Sequence, residues 1–174
     1  MGAAVCGDGV FVMGISIQGL FETHITVRDL TTSVAFYQDA VGLELALLVP
    51  ERRVAFFWIG GRGQSMLGVW EVGDGPNGMR LHLAFTSTVE QILAAPFALK
   101  ARGVIPKGFH GEPVEEPVVI GWMPAVSLYF TDPDGHLLEY LAMLPQEPRP
   151  AAGVISYSDW QAMQQSHWAS GANK

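Results

Sequence analysis

Between Gly19 and Leu144 the chain switches repeatedly between two apolar periods. LFETHITV (20–27) alternates polar and apolar positions and is rich in β-formers, which predicts a strand. In the next segment, DLTTSVAFYQDAVGLE, the apolar residues Val34, Phe36, Tyr37 and Val41 recur at helical spacing. Asp29, Thr31 or Thr32 can cap this helix and Gly42 can stop it. Three β-like runs follow, LELALLV, RVAFFWIG and SMLGVWEV, the last two joined by the glycine-rich turn GGRGQ.

The pattern then repeats. MRLHLAFT reads as a strand, and Thr88 as the cap of a helix over VEQILAAPFALKAR, bent or interrupted at Pro96 and ended by Gly103. GVIP, PVVIG, AVSLYFT and HLLEYLAM read as further β-runs, the last two joined by the turn DPDG. The expectation is therefore an α+β fold of two βαβββ modules, over 19–73 and 78–144. His24 and His82 stand 58 positions apart, and His82 and Glu139 stand 57 apart, as a duplicated unit requires.

Composition shifts at both ends. Residues 1–18 form an apolar, glycine-rich leader without Lys or Arg, and so lack the basic start of a secretory signal. They are expected to be an extension outside the domain, with Met13 an alternative start. PQEPRPAAG (145–153) is a Pro-rich linker, and SYSDWQAMQQSHWAS is a short helical pattern carrying Tyr157, Trp160 and Trp168. That tail is expected to be a helix packed on the domain or on a partner, with a lid over a site as the alternative.

The whole chain has 174 residues, 49% hydrophobic and 16% charged, enough for a sizeable core. Its net charge of −7 and scattered arginines disfavour nucleic acid. No apolar run is long enough to span a membrane. A single cysteine, Cys6, offers neither a disulfide nor a thiolate metal site, and a reducing, cytoplasmic location is expected.

His24, His82 and Glu139 are ionisable residues inside strongly apolar β-runs. Each could be satisfied separately by hydrogen bonds. Their matching places in the two modules favour a shared divalent ion, because two imidazoles and a carboxylate with open positions suit Fe, Mn, Zn, Ni or Co. Laying SMLGVWEV over HLLEYLAM places Gly68 on Glu139, so no fourth protein ligand is expected. Glu71 should face the other side. Alternation puts Glu22, Thr26, Arg28, Met66 and Trp70 with His24. It puts Arg80, Ala84 and Thr86 with His82, and Leu137, Leu141 and Met143 with Glu139. Ser127, Tyr129 and Thr131 are expected to face inward as the polar set of their strand. Arg80 could bind an anionic group. His136 should face away and be structural, His110 lies in the loop FHGEPVEEP, and His167 is expected to be solvated.

ETHITVRDLTTSVAFYQDAVGLEL, RLHLAF and SLYFTDPDGHLLEY together resemble the vicinal-oxygen-chelate superfamily of glyoxalases, bleomycin-resistance proteins and dioxygenases. The resemblance covers about Gly19 to Leu144. It implies paired modules curling into a mixed sheet around a divalent metal, with His24, His82 and Glu139 as ligands. It also implies Lewis-acid activation of a small oxygen-bearing substrate by a lyase, isomerase or dioxygenase. Many members pair modules across a homodimer, so His24 would come from one chain and His82 with Glu139 from the other. Glyoxalase I and the epimerases use a fourth ligand where Gly68 stands. Fosfomycin-modifying enzymes resemble the chain better, with Thr26 two residues after the first histidine and Ser127, Tyr129 and Phe130 before the turn. The run PVVIGWMPAVS, however, lacks their basic residues. The resemblance points to catalytic roles for Tyr129 and Thr26, while the strand alternation makes Arg80, Trp70, Met66 and Ser127 the expected substrate contacts. A metal-free, drug- or metabolite-sequestering protein is the alternative.

Overall fold

The structure is a computed structural model and describes residues 20–73 and 79–171, with side chains to residue 165. The leader, with Cys6 and Met13, lies outside the described residues, as do the side chains of His167 and Trp168. The first module runs β1 (Glu22–Val27), α1 (Leu30–Asp39), β2 (Glu44–Val49), β3 (Val54–Ile59) and β4 (Ser65–Glu71). The second runs β5 (His82–Thr86), α2 (Val89–Lys100), β6 (Val118–Ile120), β7 (Ala125–Thr131) and β8 (Leu137–Met143). A short strand, β9 (Val154–Ser156), and a helix, α3 (Tyr157–Gly171), complete the chain.

Each module forms one mixed sheet, in the orders β1-β4-β3-β2 and β5-β8-β7-β6-β9. In both, the first strand runs parallel to the last. The α+β architecture of two βαβββ units is thus as expected. The helices start where the sequence indicated. Asp29 accepts from the Thr32 amide at 2.6 Å and Thr88 from the Gln91 amide at 3.3 Å, each satisfying an otherwise free N–H of a first turn.

Two expectations needed correction. α2 passes through Pro96 as one helix, with Pro96 buried on its core face. GVIP is not a strand; only Lys107, just after it, bridges to Tyr129. The tail packs on the domain and also joins the second sheet. β9 pairs with β6, and Trp160, wholly buried, enters the common core.

That core holds one parity of every central strand. Ile25, Val27, Ala55, Phe57, Leu67 and Val69 of the first module join Val126, Leu128, Phe130, Leu138 and Ala142 of the second. The other parity, which carries the histidines, is thereby turned away from the core. His136 fastens the modules together. It is buried, its Nδ1 accepts from the Leu81 amide at 3.1 Å, and its Nε2–H donates to the Thr26 carbonyl at 2.8 Å. Tyr37 adds a second tie, donating to buried Asp132 at 2.9 Å.

Candidate functional site

Two half-sites lie on the polar faces of the two sheets. On the first, His24 shares its face with Glu22, Thr26, Met66, Gly68, Trp70 and Phe56, as the strand registers dictate. The His24 ring lies against the backbone of Gly68, where an added Cβ would come within 2.7 Å of Cδ2. Its two nitrogens are both engaged. Nδ1 accepts from the Trp70 indole at 3.1 Å, and Nε2 lies 3.0 Å from Glu22 Oε1. Phe56 packs edge-on against both rings, and the Arg52 guanidinium sits 5.0 Å over Trp70. Glu71 takes no part in this face. It accepts from the Leu30 amide and pairs with Arg53.

On the second half-site, His82 Nε2 lies 3.0 Å from Glu139 Oε2. Glu139 is almost fully buried, yet its other oxygen, Oε1, has no hydrogen-bond partner. Leaving a carboxylate oxygen in that state costs about 1–3 kcal/mol unless something else satisfies it. Ser127, Tyr129 and Thr131 share this face, since Tyr129 is the register partner of Glu139. Burial pushes the Tyr129 phenol well above its ordinary ionisation range, and the adjacent Glu139 carboxylate adds to that. The Ser127 hydroxyl is buried without a partner.

Lys107 and Phe109 also belong to this face, although no local pattern marks them. Lys107 Nζ donates to Thr131 Oγ1 at 3.3 Å, and the Phe109 ring packs edge-on on Tyr129 at 6.0 Å, with the His110 ring edge-on to Phe109. The signal was non-local: the backbone bridge between Lys107 and Tyr129 brings that loop to the sheet. Arg80 lies instead over the Gly135 turn, where an added Cβ would be 3.2 Å from its Nε.

The registers also correct the overlay of the two hairpins. His24 stands opposite Gly68 and Thr26 opposite Trp70, whereas His82 stands opposite Leu137 and Ala84 opposite Glu139. The residue equivalent to Glu139 is therefore Trp70, two positions beyond Gly68. The shift is even, so the facing assignments survive it, and an indole is no more a metal ligand than a glycine.

Within one chain the half-sites do not meet. Among the described residues no group of three or more His, Cys, Asp or Glu side chains could hold an ion. His24 and His82 stay about half exposed, at 45% and 49%. Between the facing edges of β1 and β5 runs a groove of about 550 Å³, with Glu22, Thr23, Met66, His82 and Thr86 in its walls. No helix among the described residues is long and apolar enough to cross a membrane.

The chain resembles several proteins of known structure. An integron cassette protein from the mobile metagenome of the Halifax Harbour sewage outfall is 37% identical, with a TM-score of 0.63, over 73% of this chain and 100% of that one. The fosfomycin resistance protein FosX from Listeria monocytogenes, in complex with Mn(II) and sulfate, is 30% identical, with a TM-score of 0.55, over 75% of this chain and 94% of that one. A glyoxalase/bleomycin resistance protein/dioxygenase from Nocardioides is 25% identical, with a TM-score of 0.57, over 78% and 89%. The sequence profile of the superfamily matches residues 19–140, both modules almost in full. On that match, and on the paired βαβββ sheets beneath it, the chain belongs to the glyoxalase/bleomycin resistance protein/dioxygenase superfamily.

Proposed function

We propose that this protein is a divalent-metal-dependent enzyme acting on a small oxygen-bearing substrate, with His24, His82 and Glu139 as the metal ligands. The observation that carries the reading is Glu139, buried with Oε2 on His82 and Oε1 without a partner. A cation at that carboxylate would supply the missing interaction. The Gly68 backbone, which leaves room for the His24 ring, fits the same purpose on the first half-site. The donor set of two imidazoles and a carboxylate suits Fe, Mn, Zn, Ni or Co. FosX, 30% identical, was crystallised with Mn(II).

Because the half-sites lie apart in one chain, the reading includes a homodimer. The His24 face of one copy would meet the His82 and Glu139 face of the other. When bound, the ion supplies Lewis-acid polarisation of a substrate oxygen. The remaining work falls to the chain. Tyr129, the register partner of Glu139, presents its hydroxyl at that carboxylate, where Oη is placed to donate a hydrogen bond to a bound substrate. Thr26 offers a hydroxyl on the His24 face, and Ser127 a free one beside Tyr129. Lys107 places an ammonium at the rim, suited to an anionic group on the substrate. Phe109 and Phe56 shield the two faces from water, Trp70 and Met66 line the first, and Arg80 stands at the turn end of the second.

Lys107 favours a second reading within the same class, modification of a phosphonate such as fosfomycin. It supplies a cation that residues 117–127 lack. The test of the general reading is metal analysis of the purified chain with His24→Ala and Glu139→Ala as controls. Stoichiometric metal that disappears in both variants supports it. Absence of metal under every loading condition overturns it and leaves a sequestering protein.

A further inference from the structure

We propose that Glu22 gives the metal centre a second carboxylate, so that module one contributes two ligands, His24 and Glu22, and not one. The inference rests on the metal-dependent reading above. Glu22 and His24 are two residues apart on β1 and so project from the same face. Glu22 Oε1 lies 3.0 Å from His24 Nε2, and Glu139 Oε2 lies 3.0 Å from His82 Nε2. Each half-site thus presents the same imidazole–carboxylate pair at the same separation, by different strand positions. In module two the carboxylate comes from the last strand. In module one that register position is Trp70, which cannot ligate, and the carboxylate comes from the histidine's own strand.

The contact with His24 also has a consequence for charge. In the structure described, the Nε2 proton of His24 faces Glu22, since Nδ1 accepts from Trp70. An ion bound at Nε2 displaces that proton. The carboxylate that faced an N–H would then face a cation, with no movement of backbone required. Glu22 and His24 are 37% and 45% exposed, so an ion reaches them without unfolding the core. Two carboxylates would also neutralise a divalent charge in full and shift preference toward oxygen-seeking ions such as Mn(II).

The experiment is calorimetric titration of Mn(II) into the metal-free full chain, for wild type, Glu22→Gln and the remote control Glu90→Gln. Co(II) absorption is recorded in parallel, because it reports the ligand set directly. Glu22→Gln is expected to weaken Mn(II) binding about tenfold or more and to change the Co(II) spectrum, with the metal-free melting midpoint unmoved and Glu90→Gln like wild type. Wild-type affinity and an unaltered Co(II) spectrum in Glu22→Gln would overturn the inference while leaving the metal centre intact. Weakened binding with an unaltered spectrum would reduce Glu22 to positioning His24, which also overturns it. Failure of the wild type itself to bind either ion would overturn the metal reading, and this inference with it.

Discussion

The imidazole of His24 rests on the bare backbone of Gly68, with no room for even a methyl group between them: a Cβ at position 68 would lie 2.7 Å from Cδ2 and 2.9 Å from Nε2. Gly68 needs no unusual backbone conformation, since it is not among the residues of positive φ. Its absence of a side chain therefore serves the ring and not the strand. Gly68→Ala should leave the sheet formed and displace His24. The expected outcome is an apo melting midpoint within a few degrees of wild type and Mn(II) affinity lowered about 10–100-fold, as for loss of a ligand-orienting contact. Unchanged affinity by calorimetry would show that the ring can be held elsewhere.

Glu139 and Leu138 are neighbours on β8 with opposite duties. Leu138 is fully buried in the shared core, so Leu138→Ala should cost about 2–5 kcal/mol. Glu139 is buried with one oxygen unsatisfied, so neutralising it should cost the metal-free protein little. Glu139→Gln is expected to keep apo stability within about 1 kcal/mol of wild type and to abolish metal binding. Denaturant melts of the two variants, with and without Mn(II), separate the duties. A large apo loss in Glu139→Gln would mean that the carboxylate is structural.

Local signals fixed most of the fold. Period-2 and period-3.6 patterns, capping residues Asp29 and Thr88, and the DPDG turn place all of the helices and long strands correctly. What stayed hidden was non-local. β9 has three residues and forms only because the β6 edge is open to it, and the burial of Trp160 follows from that docking. The parity of His24, Tyr129 and Glu139 was legible, because alternation is a local property. The register of β4 on β1 was not, since it depends on how two distant segments slide past each other, and hairpin overlay placed Gly68 where the structure places Trp70. Lys107 was likewise invisible until the loop folded back on Tyr129.

Trp70 opposes metal binding at His24 in a specific way. Its indole N–H donates to Nδ1 at 3.1 Å, which keeps the ring proton on Nε2. Ligation through Nε2 moves that proton to Nδ1, where it would meet another donor, so the hydrogen bond must break. A hydrogen bond of this kind contributes about 0.5–1.5 kcal/mol. Trp70→Phe keeps the aromatic packing with Phe56 and removes the donor. Its Mn(II) affinity is expected to rise by up to about tenfold, read by calorimetry. A fall in affinity would show that the indole orients the ring productively.

Alkaline stability follows from the tyrosines. Tyr37, Tyr129 and Tyr140 are each raised, chiefly by burial; Tyr140 is pushed up to about 12, and Tyr37 and Tyr129 further, by Asp132 and Glu139 respectively. A raised folded-state value means that the unfolded chain gives up these protons first. The stabilisation is complete below the ordinary tyrosine value of about 10 and is lost as pH rises above it. Ultraviolet titration should therefore show three of the four tyrosines resisting ionisation near pH 10, then ionising together with loss of circular dichroism. Smooth ionisation of all four without unfolding would refute this.

Trp160 decides whether the tail is an appendage or part of the fold. It is wholly buried and packs into the same core as Val126, Leu128 and Ala142, while β9 covers the β6 edge next to it. Removing a buried indole costs about 3–5 kcal/mol, so Trp160→Ala should unfold at markedly lower denaturant concentration in a single transition. Because Trp160 lies on the core side of the sheet and Tyr129 and Glu139 on the other, metal affinity of the folded fraction should change less than about threefold, within the additivity expected of distant sites. Separate unfolding of the tail, seen as an early step in hydrogen exchange with the rest of the melt unshifted, would show that α3 is attached to the domain without supporting it.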